Sequence, residues 1–227
     1  MAEKLLWNDG WKFCECPLDE ASMEMPGEEH FSPVDLPHDW MISDTHALYR
    51  DSIGWYRKRF SVSELERKHT SVRFDGVYMD TTVYLNGTEI GQWKYGYSTF
   101  EFDLTDTLKD GENEISVRVV YHSPNTRWYS GAGIYRNVWL KTSPATYLAA
   151  DGIYITPRKR ENGWTVEIDT EVVFGAQPVD RLRQRLFAPD GRLEAECQCM
   201  IIYEEQGSPV GRIHQELVIS DPQLWDI

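Results

Sequence analysis

The sequence lacks a long hydrophobic run and the features of a secretion signal. No apolar segment of the 227 residues reaches the roughly 18 residues that a membrane-spanning helix needs. The first residues, MAEKLLWNDGWKF, contain neither the apolar stretch nor the small-residue cleavage site of a signal peptide. We therefore expect no membrane association, and either a cytoplasmic location or export after removal of a signal peptide.

Positive charge is scarce. The chain has 23 Lys and Arg against 37 Asp and Glu, which gives a net charge of −14. Nucleic-acid binding depends on basic side chains that neutralise phosphates, so this composition argues against a nucleic-acid partner. A neutral ligand such as a sugar is compatible with it.

Cysteine is limited to two Cys-x-Cys pairs, Cys14 with Cys16 and Cys197 with Cys199. On a strand, positions i and i+2 share a face, but a disulfide between them would be strained. A zinc site would require the two distant pairs to meet, and no His lies at a helpful spacing. We interpret the four residues as reduced, small apolar side chains and expect no metal site and no cofactor.

The usual catalytic motifs are also absent. The sequence contains no G-x-S-x-G elbow, no phosphate-binding P-loop, no G-x-G-x-x-G that opens a helix and no H-E-x-x-H. Acidic residues are abundant, but no two of them are flanked in a way that indicates the paired carboxylates of a glycosidase. We therefore expect no catalytic residue in this chain.

Short alternating segments dominate what is present, and they predict an all-β fold. Asn86-Gly87 is a strong two-residue hairpin signal. Only residues 63–69 and 105–109 are suited to a helical turn. The predicted strands of the first part are 54–62, 71–76, 80–85, 88–93, 98–104, 114–121 and 133–141.

A boundary is predicted near residues 143–152, where Pro144 and several alanines interrupt the strand pattern. It separates a first domain, 1–145, from a second, 151–227. Only about 75 residues follow Gly152, whereas an immunoglobulin-like sandwich needs about 100. We expect the second domain to be incomplete and its strand near 212–220 to leave a sheet edge that pairs with another chain. Its predicted strands are 153–156, 164–174, 181–188, 192–203 and 211–220.

The most informative segment is YHSPNTRWYSGAGIYR, residues 121–136, a polar loop with aromatic residues between two predicted strands. Trp128 or Tyr129 can present a flat apolar face to a sugar ring, and Asn125 and Arg127 can contact its hydroxyl groups. In the alternative interpretation, Trp128 and Tyr135 fill the core and Arg136 pairs with a buried acid.

A second candidate loop, SDTHALYRDS, covers residues 43–52. It is polar and long for a hairpin, so Tyr49, Arg50 and Asp51 could reach a ligand. A plain solvated loop is the alternative.

Five motifs in order resemble the N-terminal region of glycoside hydrolase family 2, which contains β-galactosidases, β-glucuronidases and β-mannosidases. The resemblance covers residues 1–145, continues more weakly to DPQLW at 221–225, and is closest to the β-galactosidase branch. The motifs are LPHDW (36–40), GWYRKRF (54–60), FDGVYMDTTVYLNG (74–87), GYSTFEFDLT (96–105) and NTRWYSGAGIYRNVWL (125–140).

The resemblance implies a jelly-roll, galactose-binding-like β-sandwich, then an immunoglobulin-like β-sandwich, then a catalytic (β/α)8 barrel. In the family both catalytic Glu residues lie in the barrel, and no residue here matches either, so these residues should be inactive alone. The parent enzyme would be a retaining exo-β-glycosidase that hydrolyses O-glycosyl bonds in β-linked sugars or oligosaccharides.

The resemblance also implies that the loop at 125–131 helps to shape the sugar subsite. Asn125, Arg127 and Trp128 are the predicted substrate-binding residues, whereas the HDW segment and Arg136 are expected to be structural. Homo-oligomerisation stays open. The competing hypotheses are a stand-alone carbohydrate-binding module and a structural or oligomerisation module.

Overall fold

The computed structural model describes residues 2–63, 68–175, 181–200 and 210–224. Nearly all of their regular secondary structure is β-strand, which confirms the predicted all-β class. Three single-turn 3-10 helices occur, at Ala21–Met23, Glu28–His30 and Met41–Ser43. In the described part of the chain no helix is long and apolar enough to cross a membrane.

The chain forms two compact units, Met1–Ser143 and Pro144–Ile227. In the part of the first unit that the structure describes there are ten strands, β1 (Glu3–Leu6), β2 (Trp11–Pro17), β3 (Ser32–Val34), β4 (Ser52–Val62), β5 (Lys68–Phe74), β6 (Thr81–Leu85), β7 (Thr88–Trp93), β8 (Phe100–Asp103), β9 (Gly111–Tyr121) and β10 (Val138–Pro144).

The first unit is a β-sandwich of two antiparallel sheets. One sheet has six strands in the order β3-β2-β4-β9-β6-β7, and the other has four in the order β1-β10-β5-β8. Alternation along β9 sends Ile115, Val117 and Val119 into the core, where all three are fully buried. A large apolar cluster, which includes Trp11, Phe74 and many smaller side chains, fills this core.

The β6–β7 hairpin turns at Asn86-Gly87, as the sequence predicts. Both residues have positive φ, 53° and 82°, the conformation that a two-residue hairpin of this type requires. The predicted turn at 105–109 is also present, with Leu108 N donating to Leu104 O at 3.0 Å. The predicted turn at 63–69 falls largely on 64–67, outside the described residues.

One strand prediction in the first unit is wrong in extent. The strand expected at 133–141 begins only at Val138, and residues 133–137 form irregular backbone with a single bridge between Gly133 and Tyr78. The carbonyls of Ala132 and Ile134 instead accept hydrogen bonds from Trp40 N and His38 N. These bonds replace strand pairing.

The described residues of the second unit form five strands, β11 (Tyr147–Arg160), β12 (Gly163–Val173), β13 (Arg181–Phe187), β14 (Leu193–Met200) and β15 (Val210–Ile219). They form a three-stranded sheet, β11-β12-β15, and a two-stranded sheet, β13-β14. β11 begins inside the segment predicted as the boundary. Among the described residues, β15 pairs with β12 only.

Candidate functional site

The loop between β9 and β10, residues 122–137, carries the predicted site. Asn125 lies at its start and uses its amide within the protein. Its Oδ1 accepts a hydrogen bond from the Tyr78 hydroxyl at 3.0 Å, and its Nδ2 donates to the carbonyl of His122 at 2.5 Å. Asn125 therefore braces the loop against the strand region beside it.

Trp128 lies at the tip of this loop and is 60% exposed. The alternative in which it fills the core is therefore wrong. Its Nε1 donates to the hydroxyl of Tyr97 at 3.0 Å, which fixes the indole ring beside a second exposed aromatic. Tyr97 in turn contacts the rings of Tyr78 and Tyr95, with centroid separations of 5.2 and 5.9 Å.

Arg127 is exposed, and within the described residues the structure gives its guanidinium no hydrogen bond and no ion pair. The chain around it is strongly acidic, with a net charge of −14. An arginine that stays free of carboxylates in such a chain keeps its five N–H donors for another partner.

Asp39 holds the second half of the loop. Its Oδ2 accepts from the hydroxyl of Tyr129 at 2.6 Å, and its Oδ1 accepts from the backbone N–H of Ala132 at 2.9 Å and of Met41 at 3.0 Å. Burial, together with the neighbouring Asp39 carboxylate, raises the pKa of the Tyr129 phenol. The phenol therefore stays protonated and keeps donating to Asp39.

Two glycines allow the loop to approach these partners. Gly131 has φ of +69°, and a Cβ there would lie 2.6 Å from Asp39 Oδ2. Gly133 has φ of +123°, and its Cβ would lie 2.4 Å from Tyr56 Oη and 2.7 Å from the carbonyl of His38. The Gly-Ala-Gly sequence thus serves close packing of the loop base.

The second candidate loop meets the first. The ring of Tyr49 contacts that of Tyr129 at 6.4 Å, and Asp51 Oδ1 accepts from Ser123 N at 2.6 Å. Arg50 forms an ion pair with Glu15, in which Nε donates to Oε1 at 2.7 Å. Of the three residues predicted there, Tyr49 presents the free surface, since its side chain is 55% exposed.

Tyr135 and Arg136 lie at the base of the loop. The Tyr135 hydroxyl donates to the carbonyl of Gly96 at 2.8 Å, which ties the loop to the connection between β7 and β8. The Arg136 guanidinium lies 5.3 Å from the Tyr135 ring centroid. It is exposed and forms no ion pair with a described acid, so the buried partner considered for it is not found.

These contacts form two groups of exposed rings on the same loops, Tyr49 with Tyr129 and Tyr95 with Tyr97 and Trp128. We call these five residues, which are 37–63% exposed, the aromatic rim. Flat ring faces beside hydroxyl groups and a free guanidinium suit a sugar, which has an apolar C–H face and a ring of hydroxyls. Sequence reasoning missed Tyr95 and Tyr97, for which the closely spaced tyrosines in KYGYS were the available signal. Asp39 belongs to the HDW segment that was expected to be structural, and it holds the loop.

Comparison with known proteins identifies the family. Residues 8–144 match the model of the family described as glycosyl hydrolases family 2, sugar binding domain. The chain belongs to glycoside hydrolase family 2. The resemblance read from the five motifs is thereby confirmed.

The similar curated proteins include both β-galactosidases and β-glucuronidases. A β-galactosidase, BoGH2A, of Bacteroides ovatus is 34% identical over 99% of this chain and 28% of the relative. A β-glucuronidase of Bacteroides fragilis is 31% identical over 99% of this chain and 33% of the relative. The chain therefore spans about a third or less of the length of these two relatives.

Solved structures of family 2 members have the same fold. A member from Bacteroides cellulosilyticus superimposes with a TM-score of 0.83 at 25% identity, over 98% of this chain and 31% of that chain. A β-glycosidase from Bacteroides vulgatus gives 0.78 at 26% identity, over 98% and 30%. The fold of this chain is thus found in other glycosidases, one of which is described as a family 2 member.

Proposed function

We propose that this chain is the non-catalytic N-terminal part of a retaining exo-β-glycosidase of family 2, most similar to the β-galactosidases. In this proposal a barrel elsewhere in the parent protein supplies the catalytic carboxylates, and the loop at 125–131 forms one wall of the sugar subsite. The observation that carries the proposal is the Trp128 ring, held on the aromatic rim by Tyr97 and left 60% exposed.

The three predicted substrate-binding residues have different tasks in this proposal. Trp128 offers its ring face for stacking, and Arg127 offers free donors for hydroxyl groups of the sugar. Asn125 acts mainly by bracing the loop, because its amide already bonds to Tyr78 and His122. One wall covers only part of a ligand, so we expect the chain alone to bind sugar weakly and to hydrolyse nothing.

The test uses the complete protein that contains this chain, assayed with aryl β-galactoside and aryl β-glucuronide. Trp128→Ala and Arg127→Gln should each raise KM by about tenfold, which corresponds to about 1.4 kcal/mol of binding. Tyr154→Ala and Arg183→Gln are matched controls, since both remove exposed side chains in the second unit. Both controls should leave the kinetics unchanged.

Three outcomes would count against the proposal. The absence of activity on any aryl β-glycoside would refute a glycosidase parent. Preferred turnover of the glucuronide would replace the β-galactosidase assignment. Unchanged kinetics in both loop variants, with altered subunit assembly, would favour the structural alternative, in which the rim faces another subunit.

A further inference from the structure

The connection between β7 and β8, residues 94–99, supports the loop at 122–137 at two points. The Tyr97 hydroxyl accepts a hydrogen bond from Trp128 Nε1 at 3.0 Å, close to the tip of the loop. The carbonyl of the preceding residue, Gly96, accepts one from the Tyr135 hydroxyl at 2.8 Å, close to its base. The orientation of the exposed indole ring therefore depends on a second loop.

The ring of Tyr97 is held in place without the help of its hydroxyl group. It packs edge-on against the ring of Tyr78, with 5.2 Å between the ring centroids. Tyr78 is 3% exposed, and its own hydroxyl donates to Asn125 Oδ1 at 3.0 Å. Gly96 packs so closely on Tyr78 that a Cβ there would lie 2.2 Å from the ring. The Tyr97 hydroxyl is therefore presented to the loop from a fixed position.

Trp128, by contrast, has few contacts that define the orientation of its ring. The residue is 60% exposed, and within the part of the chain that the structure describes its indole has no aromatic ring as a partner. An indole has a single hydrogen-bond donor, and here it is used on Tyr97. Because an unrestricted side chain populates several staggered rotamers, this hydrogen bond selects the direction in which the ring face points.

We propose that Tyr97 is a positioning residue of the sugar subsite, whose hydroxyl holds the Trp128 indole in the orientation that stacks on the sugar ring. The inference rests on the proposed function, since Tyr97 acts through Trp128. Loss of one such hydrogen bond changes an equilibrium by about fivefold. Tyr97→Phe should therefore raise KM about fivefold and leave kcat unchanged, because binding that is uniform along the reaction is seen in KM alone.

The kinetic test is a double-mutant cycle in the complete protein that contains this chain, with the aryl β-glycoside that it hydrolyses fastest. Trp128→Phe keeps an aromatic face but removes the N–H donor, so the double variant with Tyr97→Phe should have the same KM as Trp128→Phe alone. Additive losses would overturn the inference, since Tyr97 would then contact the sugar itself. Tyr154→Phe is the matched control, because it removes a hydroxyl from a 70% exposed tyrosine of the second unit and should not change KM.

A spectroscopic measurement on the 227-residue chain tests the contact without any sugar. The indole N–H resonance of Trp128 is identified by its absence in Trp128→Phe. In Tyr97→Phe this N–H should exchange with water about fivefold faster than in the unmodified chain, whereas Tyr154→Phe should leave its exchange unchanged. Circular dichroism establishes that each variant is folded.

The two measurements separate this inference from the proposed function. Unchanged indole exchange in Tyr97→Phe would overturn the positioning role, whatever the substrate is. A KM that rises in Trp128→Ala but not in Tyr97→Phe would also overturn it, and would leave the proposed function in place. Faster exchange with an unchanged KM in both variants would remove the sugar subsite itself, and with it the role of Tyr97 there.

Discussion

The carboxylate of Asp39 accepts three hydrogen bonds, and two of them come from the loop that carries Trp128. One is from the Tyr129 hydroxyl at 2.6 Å and the other from the Ala132 N–H at 2.9 Å. The donors lie two residues before and one residue after Gly131, whose backbone would not tolerate a Cβ next to the same carboxylate. At the residue scale, Asp39 therefore determines where the loop passes.

Asp39→Ala should loosen this loop in the isolated chain. The substitution leaves a hydroxyl and two N–H groups without an acceptor, at a cost of about 1–3 kcal/mol in the free energy of unfolding. Urea denaturation measures this cost, and faster amide exchange of Ala132 reports the local opening. Asp106→Ala is the control, because Asp106 is exposed in the turn at 105–107. If the Ala132 amide exchanges equally slowly in both variants, Asp39 does not hold the loop in place.

His38 makes the stability of the same region depend on pH. Burial lowers the pKa of its imidazole below the ordinary 6.5, and its Nδ1 lies 2.8 Å from the Tyr56 hydroxyl oxygen. Between the folded and unfolded pKa values the unfolded chain binds more protons, so stability rises with pH. The stability contributed by the neutral His38 imidazole is fully present above the pKa of the unfolded chain. It is lost as the pH falls towards the lower pKa of the folded chain.

We therefore expect wild-type stability to exceed that of His38→Gln by more at about pH 7.5 than at about pH 5.5. Urea denaturation at both pH values measures the two differences. His46→Gln, at an exposed position, is the control for loss of a histidine and should change the free energy of unfolding by less than about 0.5 kcal/mol. A His38→Gln difference that does not change with pH would show that the imidazole is not held neutral.

At the element scale, a largely buried ion pair connects the neighbouring strands β4 and β9. The Arg57 side chain is 8% exposed and forms an ion pair with Glu114. Glu114 also accepts from Arg59 Nε at 3.0 Å, but the Arg59 side chain is 58% exposed. The Arg57 guanidinium further lies 5.2 Å from the ring centroid of Phe31. If the Glu114 carboxylate is removed, water can therefore solvate the Arg59 guanidinium but not the Arg57 guanidinium.

Glu114→Gln should destabilise the first unit by about 3 kcal/mol, because it leaves a buried cation unpaired. Arg59→Gln removes an exposed partner of the same carboxylate, together with an exposed ion pair to Glu28 at 2.8 Å, and should cost less than about 1 kcal/mol. Chemical denaturation of the two variants provides the comparison. Similar losses for both would mean that water reaches Arg57 and that burial does not set the energetics of this pair.

The elements that the sequence predicted well are those defined by local patterns. The alternation of β9 and the Asn86-Gly87 turn of the β6–β7 hairpin are both visible in the local sequence. The prediction of a strand at 133–137 is wrong because the hydrogen-bond partners that shape this backbone lie far away in the sequence. The site behaves in the same way. The exposure of Trp128 follows from a polar loop, but its partner Tyr97 is 31 residues distant, and Asp39 is 90 residues from Tyr129.

At the scale of the whole molecule, the two units differ in how much apolar surface they bury. The first holds a large core with many fully buried side chains. In the described part of the second, the buried hydrophobic residues are Ile168, Val172 and Leu217. Tyr154 and Val218 of the same unit are 70% and 68% exposed. Because each fully buried apolar side chain contributes about 1.5–3 kcal/mol, the first unit should be much more stable.

Scanning calorimetry of the chain should therefore show two transitions, with the second unit unfolding at the lower temperature. Ile168→Val removes one buried methylene and should shift only the lower transition, at a cost of about 0.5–1.5 kcal/mol. Val83→Ala, at a fully buried position of the first unit, should shift only the upper one. A single transition that moves with either variant would mean that the units unfold together, and that the first core stabilises the second unit despite the few apolar side chains buried there.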